Sequence, residues 1–236
     1  MRGRVLLLCG ALATLLVVSP SGAQQTEAEA RYEATLLADP MFGELLTEMS
    51  RSWPVEWREM VRESTRRYVQ GDPPPAVEAY RREYFQRFNA LLRQDMVKAP
   101  TGAIGEYARA NSEFMGLLMR ENAEVCAATA TSRPAPAGAA PINPATQKAL
   151  VKAQLAMMRA ATAGKAKPAN HGPPSRQDDL MVSTAFRESG GQLADIGKVG
   201  DPRSDLTPRQ RCDAAGRWAV ALAKQPNAVI ARMMNR

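Results

Sequence analysis

Residues 73–100 read PPPAVEAYRREYFQRFNALLRQDMVKAP and form the longest uninterrupted amphipathic pattern in this chain. The apolar side chains recur at intervals of three and four residues and are Val77, Tyr80, Tyr84, Phe88 and Leu91, flanked by Phe85, Leu92 and Met96. The opposite face carries Glu78, Arg82, Gln86, Asn89 and Arg93. This spacing predicts a long helix with one broad apolar side, which other helices must cover.

The rest of the 236-residue chain continues the helical pattern. No run alternates with a period of two residues, and β-branched residues are sparse, so strands are not predicted. We expect an all-α protein, an irregular multi-helix bundle of about seven or eight helices cross-linked by one disulfide. Single helices are expected over 103–128 and, across a Gly-Gly pair, over 176–196.

A proline- and alanine-rich stretch divides the chain. Residues 131–144 read TSRPAPAGAAPINP, with four prolines, one charge and no helical period. Such a composition is typical of an extended linker. We therefore expect an N-terminal helical part over 24–130, a linker over 131–143, and a C-terminal helical part over 144–236 that packs on the first.

The N-terminal residues 1–23 are typical of a secretory signal peptide. Arg2 and Arg4 precede an apolar run over residues 5–18, and small residues lead to a cleavage site after Ala23. The apolar run is short for a membrane span, although an uncleaved anchor is the alternative. No later segment of the sequence is apolar enough to be expected to cross a membrane. Cleavage would remove two arginines and so lower the formal net charge from +7 to +5.

Composition and cysteine count refine the expected compartment. Arginine outnumbers lysine 24 to 7, which suits a GC-rich bacterial genome. Together with the signal pattern, this bias predicts a periplasmic or secreted protein. Signal cleavage removes Cys9 and leaves Cys126 and Cys212, and two cysteines in an exported protein usually pair. We therefore predict a Cys126–Cys212 disulfide.

Catalytic chemistry has few candidates in this sequence. The single histidine, His171, sits in a polar, proline-flanked break, so neither a His-rich zinc site nor a helix-borne HExxH motif is available. We predict no catalytic residue, no cofactor and no metal site.

One short motif has an enzymatic resemblance. The stretch from Glu188 to Gly191 reads ESGG and is similar to the motif that carries the catalytic acid in lysozyme-like lytic transglycosylases. The resemblance implies a glutamate that protonates a glycosidic oxygen. The GLMQ-type segment that this family has downstream is missing here. A Gly-Gly helix break after a surface glutamate is the competing interpretation, and it is the one we adopt.

A second motif lies near the last helices. Residues 206–210 read LTPRQ and resemble the LTxxQ motif of small periplasmic chaperones. The same residues predict a helix start, with Thr207 as N-cap, Pro208 at the first helical position and Gln210 closing a capping box.

A row of arginines is the best candidate for a charged binding surface. Arg58, Arg62 and Arg66 share a helix face, and Trp53, Trp57 and Tyr68 are near enough in sequence to form a basic and aromatic patch for an anionic partner. Interleaved glutamates, Glu56, Glu59 and Glu63, equally predict a solvated, salt-bridged face.

Three functions compete on these observations. The first is a non-enzymatic, exported interaction protein that binds another envelope protein. The second is a protein that binds anionic lipid or another envelope polymer through the arginine row. The third is a cell-wall glycosidase that uses Glu188. Export argues against nucleic acid as a partner.

Overall fold

The structure is a computed structural model that describes residues 22–134, 136, 138–201 and 203–235, with side chains from residue 26 onward. The described residues form eleven helices and no strand, which confirms the all-α prediction. In chain order the helices are α1 (Gly22–Leu37), α2 (Gly43–Ser52), α3 (Pro54–Val69), α4 (Pro74–Met96), α5 (Thr101–Glu121), α6 (Ala123–Ala130), α7 (Pro144–Ala166), α8 (Arg176–Glu188), α9 (Leu193–Ile196), α10 (Pro208–Ala223) and α11 (Asn227–Met234).

The described part of the chain contains more helices than the seven or eight predicted, because local breaks divide the expected elements. Asn122 separates α5 from α6, and its side-chain oxygen caps α6 by accepting hydrogen bonds from the backbone N–H groups of Glu124 and Val125. Gly190, at a φ of 83°, lies in the break between α8 and α9, and Pro226 separates α10 from α11. These residue types favour caps and turns over helix interiors.

The long helix α4 buries the side that its sequence pattern indicates. Its fully buried residues are Val77, Tyr84, Phe88, Leu92 and Met96, whereas Tyr80, Phe85 and Leu91 are half-buried. The buried line thus ends on Leu92 and Met96 rather than on Leu91. The hydroxyl of Tyr84 donates a hydrogen bond of 2.6 Å to the carbonyl oxygen of Glu56, which attaches α4 to α3.

Helix α7 packs against α5, α4 and α2, so it brings residues from beyond the linker into the main hydrophobic cluster. Gly164 makes the contact with α4 possible, because a Cβ atom there would lie 2.0 Å from the carbonyl oxygen of Asp95. Gly164 lies within this helix, which continues to Ala166.

A buried ion pair joins α8 to α11. Asp178 forms a capping box with Ser175 at the start of α8, and the guanidinium of Arg232 donates hydrogen bonds of 2.7 and 2.9 Å to its carboxylate. The hydrogen bonds from Arg232 have the largest effect, and together with those from Ser175 they hold the pKa of Asp178 well below its usual value. The carboxylate thus remains ionised in the interior, where its partner compensates the lost hydration.

The predicted disulfide between Cys126 and Cys212 is present. It joins α6 to α10, with the two Cα atoms 5.3 Å apart, and neither cysteine is exposed to solvent. A second hydrophobic cluster surrounds it, with Phe114, Met115 and Leu118 of α5 as its largest buried members. The disulfide therefore lies inside a packed region rather than on the surface.

The predicted signal peptide, residues 1–23, falls almost entirely outside the described residues, which begin at residue 22. Among the helices described, none combines the length and the apolar character needed to span a membrane.

Candidate functional site

The three arginines of the predicted row lie on the outer side of α3 but differ in their partners. Arg58 and Arg62 are exposed, and within the described residues neither forms an ion pair. Arg66 is half-buried, and its guanidinium donates hydrogen bonds of 2.6 and 2.7 Å to the carboxylate of Glu63. Those bonds also hold the pKa of Glu63 below its usual value. Only Arg58 and Arg62 are therefore available to an external anion.

The aromatic half of the predicted patch is wrong. Trp53 and Trp57 are 1% and 2% exposed, because they sit on the inner side of the chain with Met60 and Val61. Only Tyr68 is on the surface, where it is 73% exposed. The tryptophan rings bury far more apolar area by packing inward than they could by staying beside the arginines.

An aliphatic side chain, and not a tryptophan, lies beside the arginines on the outer face of α3. Val55 is 65% exposed and lines a shallow depression with Arg58, Glu59 and Arg62. We call this surface the α3 patch. It combines exposed aliphatic area with two exposed guanidinium groups that form no ion pair within the described residues, and Glu59 offsets part of its positive charge. The Nε atom of Arg58 donates a hydrogen bond of 3.0 Å to the carbonyl oxygen of Pro54, and its two terminal nitrogens point to no partner in the described residues.

The ESGG motif has a packing explanation in this structure. The backbone N–H groups of Gly190 and Gly191 donate to the carbonyl oxygens of Arg187 and Phe186, at 2.8 and 3.0 Å, and so terminate α8. A Cβ atom on Gly191 would lie 2.4 Å from the ring of Phe186. Glu188 itself is exposed on the last turn of α8. The glycines are therefore required by the helix end, whatever the role of the glutamate.

The single histidine is tied to the backbone rather than free in solvent. His171 is half-buried, and its Nε2 atom lies 2.7 Å from the carbonyl oxygen of Ala99. This contact fixes the loop after α7 against the junction of α4 and α5. Within the described residues, no group of three or more His, Cys, Asp or Glu side chains is placed to hold a metal ion.

A concave surface larger than the depression at α3 lies between α5 and α7, and sequence reasoning missed it. It encloses about 850 Å³ and also touches α2. Its floor is aliphatic and is made by Ala110, Leu117, Ala149, Val151, Leu155 and Ala156. We call it the α5–α7 groove.

Charged side chains of opposite sign form the two walls of the α5–α7 groove. The α5 wall carries Glu106, Arg109 and Glu113 and is acidic on balance, and the α7 wall carries Lys148, Lys152 and Arg159. The guanidinium of Arg109 donates a hydrogen bond of 2.6 Å to the side chain of Asn227, and the groove also contains Glu44 of α2. The walls therefore present an acidic edge and a basic edge to anything that lies between them.

The helices that form the groove are antiparallel, and an ion pair joins its two walls. Lys152 contacts Glu113 at 2.6 Å, and Thr146 donates a hydrogen bond to Glu121 further along α5, which sets the opposite directions of the two helices. Near the other end, Arg159 contacts Glu44 at 3.5 Å. Their charged groups are mostly exposed, so these pairs hold the walls only weakly.

The capping box predicted at the start of α10 is confirmed. The Thr207 hydroxyl accepts a hydrogen bond from the Gln210 backbone N–H at 3.3 Å, and the Gln210 side chain accepts one from the Thr207 N–H at 2.9 Å. This local role accounts for the residues that resemble a chaperone motif. No family model, curated protein or solved structure matches this chain.

Proposed function

We propose that this chain is an exported, non-enzymatic interaction protein of the bacterial envelope, and that it binds a partner protein in the α5–α7 groove. The observation that carries the proposal is the aliphatic floor of this groove between walls of opposite charge. The sequence pattern of residues 1–23 and the Cys126–Cys212 disulfide support export, because such bonds persist in oxidising compartments.

The shape of the groove suits a segment of protein better than a small molecule. Its floor combines alanines with leucines and valine, which offers apolar contact along two helices rather than at a single point. Its charged groups stand at the edges, where the rim of a protein interface is usually polar. An apolar centre with a charged border is the arrangement by which grooves between helices bind partner segments.

Filling the groove should abolish partner binding. Ala156 is half-buried on the groove floor, so the Ala156→Trp variant should place a large ring where the partner would lie. We expect photo-crosslinking in envelope extracts, followed by mass spectrometry, to identify a protein that is captured by wild type and reduced at least about tenfold with the variant, since blocking an apolar interface centre typically costs more than about 2 kcal/mol.

A matched control separates binding from general disturbance of the fold. Ala90 is exposed on α4, so Ala90→Trp adds the same ring at a helical surface site away from the groove. This control should capture the same protein as wild type, and both variants should retain the helical circular dichroism spectrum. If Ala156→Trp captured the wild-type partner as well as the control did, the groove would not be the binding site.

The α3 patch supports a second candidate function, binding of anionic lipid or of an anionic envelope polymer. Arg58 and Arg62 are exposed beside Val55, and neither is neutralised by an ion pair within the described residues. Each basic side chain near an anionic membrane surface contributes about 1 kcal/mol to binding. Two such side chains with aliphatic area between them give a weak, salt-sensitive attachment that would position the groove near the envelope surface.

Neutralising the α3 patch should weaken binding to anionic vesicles. For Arg58→Gln/Arg62→Gln we expect roughly a 30-fold loss of affinity for vesicles containing phosphatidylglycerol, which corresponds to about 2 kcal/mol. Co-sedimentation at several salt concentrations would measure it. Arg82→Gln/Arg120→Gln removes the same charge from exposed sites elsewhere and should have little effect. Equal losses in the two double variants would mean that net charge, and not the patch, governs binding.

A further inference from the structure

We infer that the partner segment is an amphipathic α-helix of about three to four turns, with basic side chains along one edge and acidic side chains along the other. The inference rests on the proposed function of the α5–α7 groove and identifies the chemistry of its occupant. It follows from the length of the groove, from its floor and from the opposite charges of its walls.

The length of the groove sets the length of the partner. The residues that line it span 106–117 on α5 and 145–159 on α7. At a rise of about 1.5 Å per residue these stretches measure about 17 and 21 Å. A helix lying along both walls would therefore contact them over about 12 to 14 residues.

The floor favours a helix with large aliphatic side chains. Ala156 and Leu117 are the half-buried members of the floor and offer apolar contact to a partner, whereas Ala110, Ala149 and Leu155 lie deeper and are buried. The small side chain of Ala156 lets a partner helix approach closely. Leucine or methionine side chains spaced by three and four residues along a partner helix would pack against this floor. Such a pattern gives the partner one apolar face, directed at the floor.

The walls set the charges on the two sides of that face. Lys148, Lys152 and Arg159 follow one side of α7 at intervals of four and seven residues, and they require carboxylates on the facing edge of the partner. Glu106 and Glu113 are seven residues apart on α5, and they require basic side chains on the other edge. Arg109 lies between these glutamates and offsets one of their two charges, so the α5 wall keeps a net charge of about −1.

The existing ion pairs leave the walls open to exchange. Lys152 and Glu113 are 63% and 50% exposed, so their contact contributes little and can be replaced by contacts with a partner. Glu106 and Lys148, at opposite ends of the groove, form no ion pair within the part of the chain that the structure describes. Charge complementarity with a partner would satisfy both.

Three synthetic peptides of 16 residues, each locked as a helix by a side-chain staple, provide the probe. All share one leucine- and alanine-rich face, and their edges are lysine and glutamate, glutamate on both, or lysine on both. Like-charged edges are the appropriate comparison, because reversing a helix in the groove exchanges its two edges. By fluorescence anisotropy, the mixed-edge peptide should bind roughly tenfold more tightly than either other peptide.

Variants of the protein locate and orient this binding. Ala156→Trp should abolish it. Glu106→Lys/Glu113→Lys makes both walls basic and should shift the preference to the peptide with glutamate on both edges. Glu78→Lys/Glu83→Lys changes the charge equally on the exposed side of α4 and should keep the preference for mixed edges.

The remaining outcomes overturn the inference in distinguishable ways. If the mixed-edge peptide showed no preference while Ala156→Trp still lost its envelope partner, the inferred helix chemistry would be wrong and the proposed function would stand. If the peptide bound but capture were unaffected by Ala156→Trp, both proposals would fail. If the chain formed dimers in sedimentation and Ala156→Trp made it monomeric, a second copy would be the occupant instead.

Discussion

Removing the Cys126–Cys212 disulfide is expected to lower the free energy of unfolding by about 4 to 5 kcal/mol. The two cysteines are 86 residues apart in sequence. Their bond excludes from the unfolded ensemble all conformations in which the ends of this long loop are separated.

The position of the disulfide makes this effect both global and local. It attaches α6, a helix of eight residues, to α10. Helices this short are not stable alone and depend on tertiary contacts. Loss of the bond should therefore loosen α6 first and weaken the surrounding cluster that includes Phe114 and Leu118.

Urea unfolding followed by circular dichroism would measure the change. The double variant Cys126→Ala/Cys212→Ala removes the bond without placing a hydroxyl in the buried site. Wild type unfolded in the presence of a reducing agent should be destabilised to a similar extent, whereas the variant should not respond to reduction. A variant within about 1 kcal/mol of oxidised wild type would show that the loop is already restricted in the unfolded chain.

The features that could be predicted from the sequence depend on a local pattern of residues or, for the disulfide, on the lack of any other cysteine with which to pair. The face of α4 follows from the spacing of Val77, Tyr84 and Phe88 along a 3.6-residue period, although the predicted line continued to Leu91 and the buried one continues to Leu92. The disulfide follows from the two cysteines that would remain after export. The start of α10 follows from the geometry of Thr207 and Gln210, which needs no tertiary contact.

The features that were missed depend on which helices meet. The α5–α7 groove requires two helices on opposite sides of the linker to pack side by side. No local sequence pattern indicates which helices will pair in this way. The spacing of Glu106 and Glu113, and of Lys148 and Lys152, was a visible signal of charged helix edges. It could not indicate that the two edges would face each other across an apolar floor.

The tryptophans beside the arginine row were placed wrongly for a different reason, the neglect of competition between helix faces. Trp57 lies on the same face of α3 as Met60, Val61 and Ser64, which are all buried. The helical spacing of these residues therefore already predicted that Trp57 points inward. Proximity in sequence to Arg58 suggested an exposed patch. Burial of a tryptophan ring contributes more free energy than contact with a solvated guanidinium, and the apolar face therefore prevails.

Phe88→Ala is expected to lower the free energy of unfolding by about 3 to 5 kcal/mol, because it leaves a cavity in the main core. Phe88 is 4% exposed, and its ring meets that of Trp53 edge-on at a centroid distance of 5.6 Å. Such aromatic pairs contribute about 0.5 to 1.5 kcal/mol beyond the area they bury. The ammonium group of Lys165 lies 4.5 Å from the centre of the Trp53 ring, so this ring also connects α4 to α7.

Arg82→Ala, on the exposed side of the same helix, provides the matched comparison. Arg82 is solvent-exposed, and alanine is at least as good a helix former, so the change should stay within about 0.5 kcal/mol. Chemical denaturation of both variants alongside wild type gives the two values directly. Because both residues lie in the same helix, the difference between them measures which side of α4 faces the core. Comparable losses of unfolding free energy at the two positions would contradict the assignment of the Phe88 side of α4 to the core and of the Arg82 side to solvent.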